Sequence, residues 1–111
     1  MTIPPLTING HTQTIYEGQF VKGKRQGKGI LRIPAVSFKY EGDFRNGEMT
    51  GRARIDYRNG NIYEGGVLYG QRHGQGRLTY KGGNYYEGEW CEGVKQGQGK
   101  MMWLDRNELV D

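Results

Sequence analysis

A short phrase, Tyr-Glu-Gly, begins at Tyr16, Tyr40, Tyr63 and Tyr86, so successive copies stand 24, 23 and 23 residues apart. A period of this length belongs to architectures in which each unit is one small supersecondary element packed on the next. Such a chain makes an extended surface by repetition, and equivalent residues return in equivalent surroundings. Catalytic chemistry asks for the opposite, dissimilar groups gathered in one place.

Aligned on the tyrosines, unit one reads Tyr16-Glu17-Gly18-Gln19-Phe20, then Gly23, then Gly27-Lys28-Gly29-Ile30-Leu31. Unit two runs Tyr40 to Phe44, Gly47, then Gly51-Arg52-Ala53-Arg54-Ile55. Unit three runs Tyr63 to Val67, Gly70, then Gly74-Gln75-Gly76-Arg77-Leu78. Unit four runs Tyr86 to Trp90, Gly93, then Gly97-Gln98-Gly99-Lys100-Met101. Strand alternation puts Tyr16, Gly18 and Phe20 on one face, and Gly27, Gly29 and Leu31 likewise. A two-residue turn at Gly23-Lys24, with glycine first as a type II′ turn requires, pairs Phe20 with Gly27, Gly18 with Gly29 and Tyr16 with Leu31. Large residues then lie over bare backbone. On the other face the same register sets Glu41 against Arg54, Asp43 against Arg52, Glu64 against Arg77 and Glu87 against Lys100, each such pair adding ~0.2–1 kcal/mol. One hairpin per unit is the expectation, joined at Pro34-Ala35, Asn59-Gly60 and Gly82-Gly83 and stacked into one long twisted antiparallel sheet.

Composition supports a structured repeat. Glycine makes up 20 of 111 residues and proline only 3, which suits many tight turns better than a flexible linker. Hydrophobic residues are 34% of the chain, so a large buried core is excluded. The single cysteine, Cys91, precludes an intrachain disulfide and fits a reducing compartment. The longest apolar run, Met101 to Leu104, is far short of a membrane span, and Met1 to Pro5 does not begin like a secretory leader. The sequence therefore reads as a soluble cytoplasmic protein.

The phrase Tyr-Glu-Gly-x-(Phe/Trp), followed by glycines and Gly-x-Gly-x-(Leu/Met), resembles the MORN repeat (membrane occupation and recognition nexus). The resemblance covers residues 16 to about 104. It implies an all-β, elongated, single-layer solenoid of tandem antiparallel β-hairpins, with an aromatic concave side that takes a partner and a place at the cytoskeleton or a membrane surface. The units span 16–39, 40–62, 63–85 and 86–108. Residues 1–15 read as a half-repeat or cap, because Leu6-Thr7-Ile8-Asn9-Gly10 is similar to Leu78-Thr79-Tyr80-Lys81-Gly82. A fifth unit would open at 109, where Leu109-Val110-Asp111 forms a tail or a truncated next repeat. Open sheet ends call for a cap, more chain, or end-to-end association into a homo-oligomer. Two positions depart from the pattern: Val67 implies a shallower aromatic strip at unit three, and Ala53 tighter packing at unit two.

Catalysis has little support. His11 and His73 fall in a loop and near a hairpin tip, and neither has a fixed relation to Cys91. Glu17, Glu41, Glu64 and Glu87 recur once per unit and share one environment, whereas an acid–base pair needs two. No His/Cys cluster has ligand spacing, and Gly23 to Gly29 lacks both the Gly-Lys-Ser/Thr ending and the helix of a phosphate loop. No cofactor or metal is expected, and Cys91 reads as an ordinary thiol.

Two surfaces could bind. The first is the aromatic strip of Tyr16, Phe20, Tyr40, Phe44, Tyr57, Tyr63, Tyr80, Tyr86, Trp90 and Trp103. A one-sheet protein has no second layer to cover that face, so the outer rims of the rings are expected to stay exposed and to anchor a partner peptide or helix. The second is basic. Residues 1–39 carry six Lys/Arg against Glu17 alone, while residues 40–111 carry ten against eleven Asp/Glu. Lys22, Lys24, Arg25 and Lys28 crowd the first tip, with Arg32 and Lys39 nearby, a pattern that draws proteins to anionic phospholipid, including phosphoinositide. Nucleic acid is not expected, since the aromatics occupy packing positions and the last two-thirds is slightly acidic.

Overall fold

The computed structural model describes residues 7–8 and 11–104. A two-stranded ribbon pairs β1 (Thr7–Ile8) with β2 (His11–Thr12). Four hairpins follow: β3 (Ile15–Val21) with β4 (Lys24–Ile33), β5 (Phe38–Arg45) with β6 (Glu48–Asp56), β7 (Ile62–Leu68) with β8 (Gln71–Thr79), and β9 (Tyr85–Cys91) with β10 (Val94–Met102). A short 3₁₀ turn, Pro34–Val36, joins the first two hairpins. The eight long strands form one open sheet in sequence order from β3 to β10, every neighbour antiparallel. The molecule measures 57 × 39 × 19 Å, the dimensions of a single layer extended across its strands. Within residues 1–15, read from the sequence as a half-repeat or cap, β1 and β2 pair with each other as a two-stranded sheet of their own, and the fifth unit expected at 109 lies outside the described residues.

The turns differ from the expected type. The central residues are Lys22-Gly23, Asn46-Gly47, Tyr69-Gly70 and Glu92-Gly93, and all eight have positive φ. That is a type I′ turn, whose twist matches the flanking strands. Glycine is therefore second, not first, and Phe20 faces Arg25 instead of Gly27. A bulge between Gly18 and Phe20 then restores the expected register, with Gly18 opposite Gly29 and Tyr16 opposite Leu31. The same bulge recurs beyond Gly42, Gly65 and, in the last hairpin, Gly88.

The bulge gives the variable fourth residue of the phrase a task. Gln19 Oε1 accepts the Lys28 N–H at 2.9 Å, Asp43 Oδ2 the Arg52 N–H at 2.8 Å, and Glu89 Oε2 the Gln98 N–H at 3.2 Å. Each satisfies a backbone donor that the bulge takes out of the ladder. The expected Asp43–Arg52 ion pair is thereby corrected: Asp43 takes the Arg52 backbone, and its carboxylate pairs with Lys28 across the β4–β5 seam. The registers of Glu41 with Arg54, Glu64 with Arg77 and Glu87 with Lys100 hold. Arg77, placed between Glu64 and Glu87, takes Glu87 at 3.2 Å, and Arg54 takes Asp56 at 3.1 Å. These exposed pairs contribute at most ~1 kcal/mol each.

The core is a strip on one face: Leu31, Tyr40, Phe44, Ile55, Tyr63, Val67, Leu78, Tyr86 and Trp90. Each opening tyrosine lies along its own strand and donates its hydroxyl to the carbonyl three residues on: Gln19 at 2.8 Å, Asp43 at 2.5 Å, Gly66 at 2.7 Å and Glu89 at 3.2 Å. The ring covers the facing glycines, so a Cβ at Gly29 would meet Tyr16 at 2.5 Å. Large-over-small pairing also operates between hairpins, with Gly27 opposite Phe44, Gly51 opposite Val67 and Gly74 opposite Trp90.

Candidate functional site: the aromatic face

Edge-to-face contacts bind the rings into two ladders. Tyr16 meets Phe20 and Phe44 at 5.0 Å, and Tyr40 meets Phe44 at 5.1 Å. Farther along, Trp90 meets Tyr63 at 5.6 Å and Tyr86 at 5.2 Å. Val67, the expected departure, stands at the break between the two ladders. Trp90 also donates its indole N–H to the Gly76 carbonyl at 3.0 Å.

Packing this dense changes the nature of the strip. Tyr40 and Tyr63 have no exposed surface, and Phe44, Tyr86 and Trp90 are buried. The expectation of exposed rims is corrected for these five, which are core. Tyr16, Tyr57 and Tyr80 are half-buried, whereas Phe20 at 61% and Trp103 at 64% are exposed. Burial pushes the Tyr63 phenol up to about 12. It raises Tyr40 and Tyr57 as well, with the Asp43 charge adding to the effect at Tyr40 and Arg72 opposing it at Tyr57.

What covers the rings is cationic side chains from the same face. Arg25, Met49, Arg72 and Lys95 occupy one position in the four hairpins, cross-strand from Phe20, Phe44, Val67 and Trp90. The Arg25 guanidinium lies over Tyr16 and Phe44, at 5.9 and 5.4 Å from the ring centres. Arg72 lies over Trp90 at 4.7 Å and Tyr57 at 5.6 Å, and Lys95 over Tyr86 at 4.9 Å and Tyr80 at 5.3 Å. The charged groups themselves lie over the ring faces, the geometry of a cation–π contact. Arg25 Nη2 donates to the Gly47 carbonyl at 2.5 Å, and Arg72 Nη2 to the Gly93 carbonyl at 2.8 Å, so each arginine holds the turn of the next hairpin. Reading the sequence for the period of its aromatics passed over this second series, although Arg25, Met49, Arg72 and Lys95 keep the spacings of the tyrosines, 24, 23 and 23 residues.

The predicted basic cluster is divided by strand alternation. Arg25 belongs to the aromatic face, where it is half-buried. Lys28, Arg32 and Lys39 lie on the opposite face with Asp43, Glu17 and Glu41 as partners. The Lys28 hydrogen bond, with the Arg52 N–H, holds the Asp43 carboxyl below the usual carboxylate range. Lys22 and Lys24 remain exposed at the first tip, beside exposed Phe20 and Val21.

One apolar concavity of about 400 Å³ opens on the aromatic face, lined by Leu31, Ile33, Val36, Phe38, Met49, Tyr57 and Arg58. Only Tyr57 among these was expected. The signal for Leu31, Ile33 and Phe38 was present in the alternation of β4 and β5, which sets Ile33 directly opposite Phe38. Among the described residues no group of three His, Cys, Asp or Glu could hold a metal ion, no buried side-chain nitrogen or oxygen lacks a partner, and no helix is long and apolar enough to cross a membrane.

An open sheet of recurring hairpins, with cations of its own strands lying over its aromatic face, defines a repeat protein of the hairpin-solenoid class. A family model for the MORN repeat matches residues 16–34, 40–62, 63–85 and 86–107, and the chain belongs to that family. This is a non-enzymatic repeat, generally one that binds proteins or membranes. No curated protein gives a significant match to the chain.

Proposed function

We propose that the protein is a non-catalytic scaffold that holds an apolar segment of a protein partner on its aromatic face. The observation that carries this reading is the apolar concavity bounded by Ile33, Val36, Phe38 and Tyr57, which a sheet without a second layer leaves open to solvent. Anchoring side chains of a partner fill it, while buried Leu31, part of the core strip, forms its floor. The test must spare that floor. Peptides are selected from a displayed library on the wild-type protein and measured again on an Ile33→Ser/Val36→Ser variant shown by circular dichroism to be folded. The expected loss is about tenfold or more, the scale of one desolvated anchor. Undiminished binding by the folded variant overturns the reading.

A second reading rests on the first hairpin tip, where exposed Phe20 and Val21 stand beside exposed Lys22 and Lys24. Apolar side chains flanked by lysines suit the surface of an anionic membrane. Co-sedimentation with phosphatidylserine or phosphoinositide vesicles tests it. Binding that fades with salt and is lost in Lys22→Ser/Lys24→Ser supports it, and equal binding by that variant refutes it.

A further inference from the structure

The two faces of the sheet differ in how charge is arranged: one carries cations alone, the other cations and carboxylates together. On the aromatic face every charged strand residue of the four hairpins is a cation: Arg25, Arg72 and Lys95. The strand carboxylates all sit at the alternate positions. Glu17, Glu41, Glu64 and Glu87 mark that opposite face, paired in register with Ile30, Arg54, Arg77 and Lys100. A net-charge count hides this arrangement, because the pleat confines the strand carboxylates to one face, where cations such as Lys28, Arg32 and Arg77 pair with them.

We infer that the partner of the aromatic face is an extended acidic segment that also carries aromatic or aliphatic anchors. The inference rests on the groove reading above and adds the charge of the occupant. Arg25, Met49, Arg72 and Lys95 stand on β4, β6, β8 and β10, on every second strand. At ~4.8 Å per strand they form a row with ~10 Å steps, about 29 Å from Arg25 to Lys95. An extended chain covers that distance in roughly nine residues. It can also follow a sheet that turns by ~20–25° at each strand, which a straight helix cannot.

The cations are set for carboxylates. Arg25 and Arg72 are each fixed by a bond to a turn carbonyl and by the rings beneath them. A guanidinium has five N–H donors, so further donors remain for a partner. Its geometry is already chosen, so little rotamer freedom is lost when a carboxylate arrives. Met49 interrupts the row and borders the apolar concavity, where the anchor of the segment enters. The same face would repel a basic peptide.

Met49 also supplies the control, since it shows that a hairpin of this chain forms with methionine at the cation position. A displayed dodecapeptide library is panned on the full chain and on an Arg25→Met/Arg72→Met/Lys95→Met variant, with folding checked by circular dichroism. Peptides enriched on the wild type should be rich in Asp and Glu together with Phe, Trp or Leu. Their affinity, read by fluorescence anisotropy, should fall about tenfold or more on the triple variant, and should fall with added salt. Lys95→Glu, a charge reversal at an exposed side chain with folding checked in the same way, should weaken the same peptides several-fold. Lys22→Ser/Lys24→Ser should leave them unchanged. Enriched peptides without an acidic bias, or affinities indifferent to Lys95→Glu, overturn the inference and leave the groove reading standing. No enriched peptide at all overturns both. Binding to phosphatidylserine vesicles that disappears in the triple variant, with no acidic peptide selected, assigns the cation row to lipid and also overturns the inference.

Discussion

The tyrosine that opens each unit does three things at once: it fills the face, covers glycine backbone and caps a bulge carbonyl with its hydroxyl. Glycine opposite it is consequently a steric requirement. A Cβ at Gly76 would fall inside the Tyr63 ring and hydroxyl, so Gly76→Ala should destabilise the protein by about 1–3 kcal/mol, the usual range for overpacking, as measured by urea unfolding. Ala53 shows the one hairpin set up differently, for Tyr40 keeps its bond to the Asp43 carbonyl with a methyl beside it. The buried phenol also sets an alkaline limit. Tyr63 holds its proton to about 12 when folded, against ~10 in the unfolded chain. Its contribution is therefore complete below pH ~10 and is lost as pH rises toward the folded value. Tyrosinate absorbance at alkaline pH should rise together with loss of the β-sheet signal, and ionisation completed while the sheet remains intact would contradict the burial.

At the scale of the hairpin, the turn is where the chain carries strain. Tyr69 occupies the left-handed region with φ of 48°, a conformation that asparagine, as at Asn46, tolerates better. The Tyr69 side chain is 70% exposed and gives the fold little in return. Tyr69→Asn should stabilise the protein by about 0.5–1 kcal/mol, seen as a raised midpoint with unchanged denaturant slope. The links between hairpins come from both ends. On the turn side the Gly47, Gly70 and Gly93 N–H groups donate to the carbonyls of Arg25, Met49 and Arg72 in the preceding hairpin. On the loop side Asn61 Oδ1 accepts the Lys81 N–H at 3.0 Å and Asn84 Oδ1 the Leu104 N–H at 2.8 Å. Hairpin existence was legible in the sequence because glycine pairs and aromatics recur together. The turn type was not, because Lys22 and Glu92 are unremarkable residues until their φ angles are known.

Across the whole molecule each hairpin touches only its neighbours, so stability is distributed as in a one-dimensional array. Protection should follow position. Every buried aromatic of the central hairpins is flanked on both sides, whereas β10 is exposed along nearly its whole length. Native-state hydrogen exchange should find amides of β5 to β8 slowest and those of β3 and β10 fastest. Uniform protection would mean that the sheet opens only as a unit. The division of charge between faces also belongs to this scale, since it gives one thin sheet two unlike surfaces, one cationic and aromatic, the other mixed and hydrated.

The period, the one-hairpin-per-unit architecture and the glycine positions under the tyrosines follow from sequence alone, because steric demand at a repeated position leaves a repeated residue. Alternation within strands assigns Leu31, Ile33 and Phe38 to the aromatic face on the same basis. Only the tertiary structure decided which rings are surface and which are core. Burial of Tyr40 and Tyr63 arises because each has a buried residue on both neighbouring strands, Leu31 and Ile55 beside Tyr40, Ile55 and Leu78 beside Tyr63. The basic cluster that adjacent numbering suggests was likewise dispersed by the pleat, since residues one apart on a strand point to opposite sides.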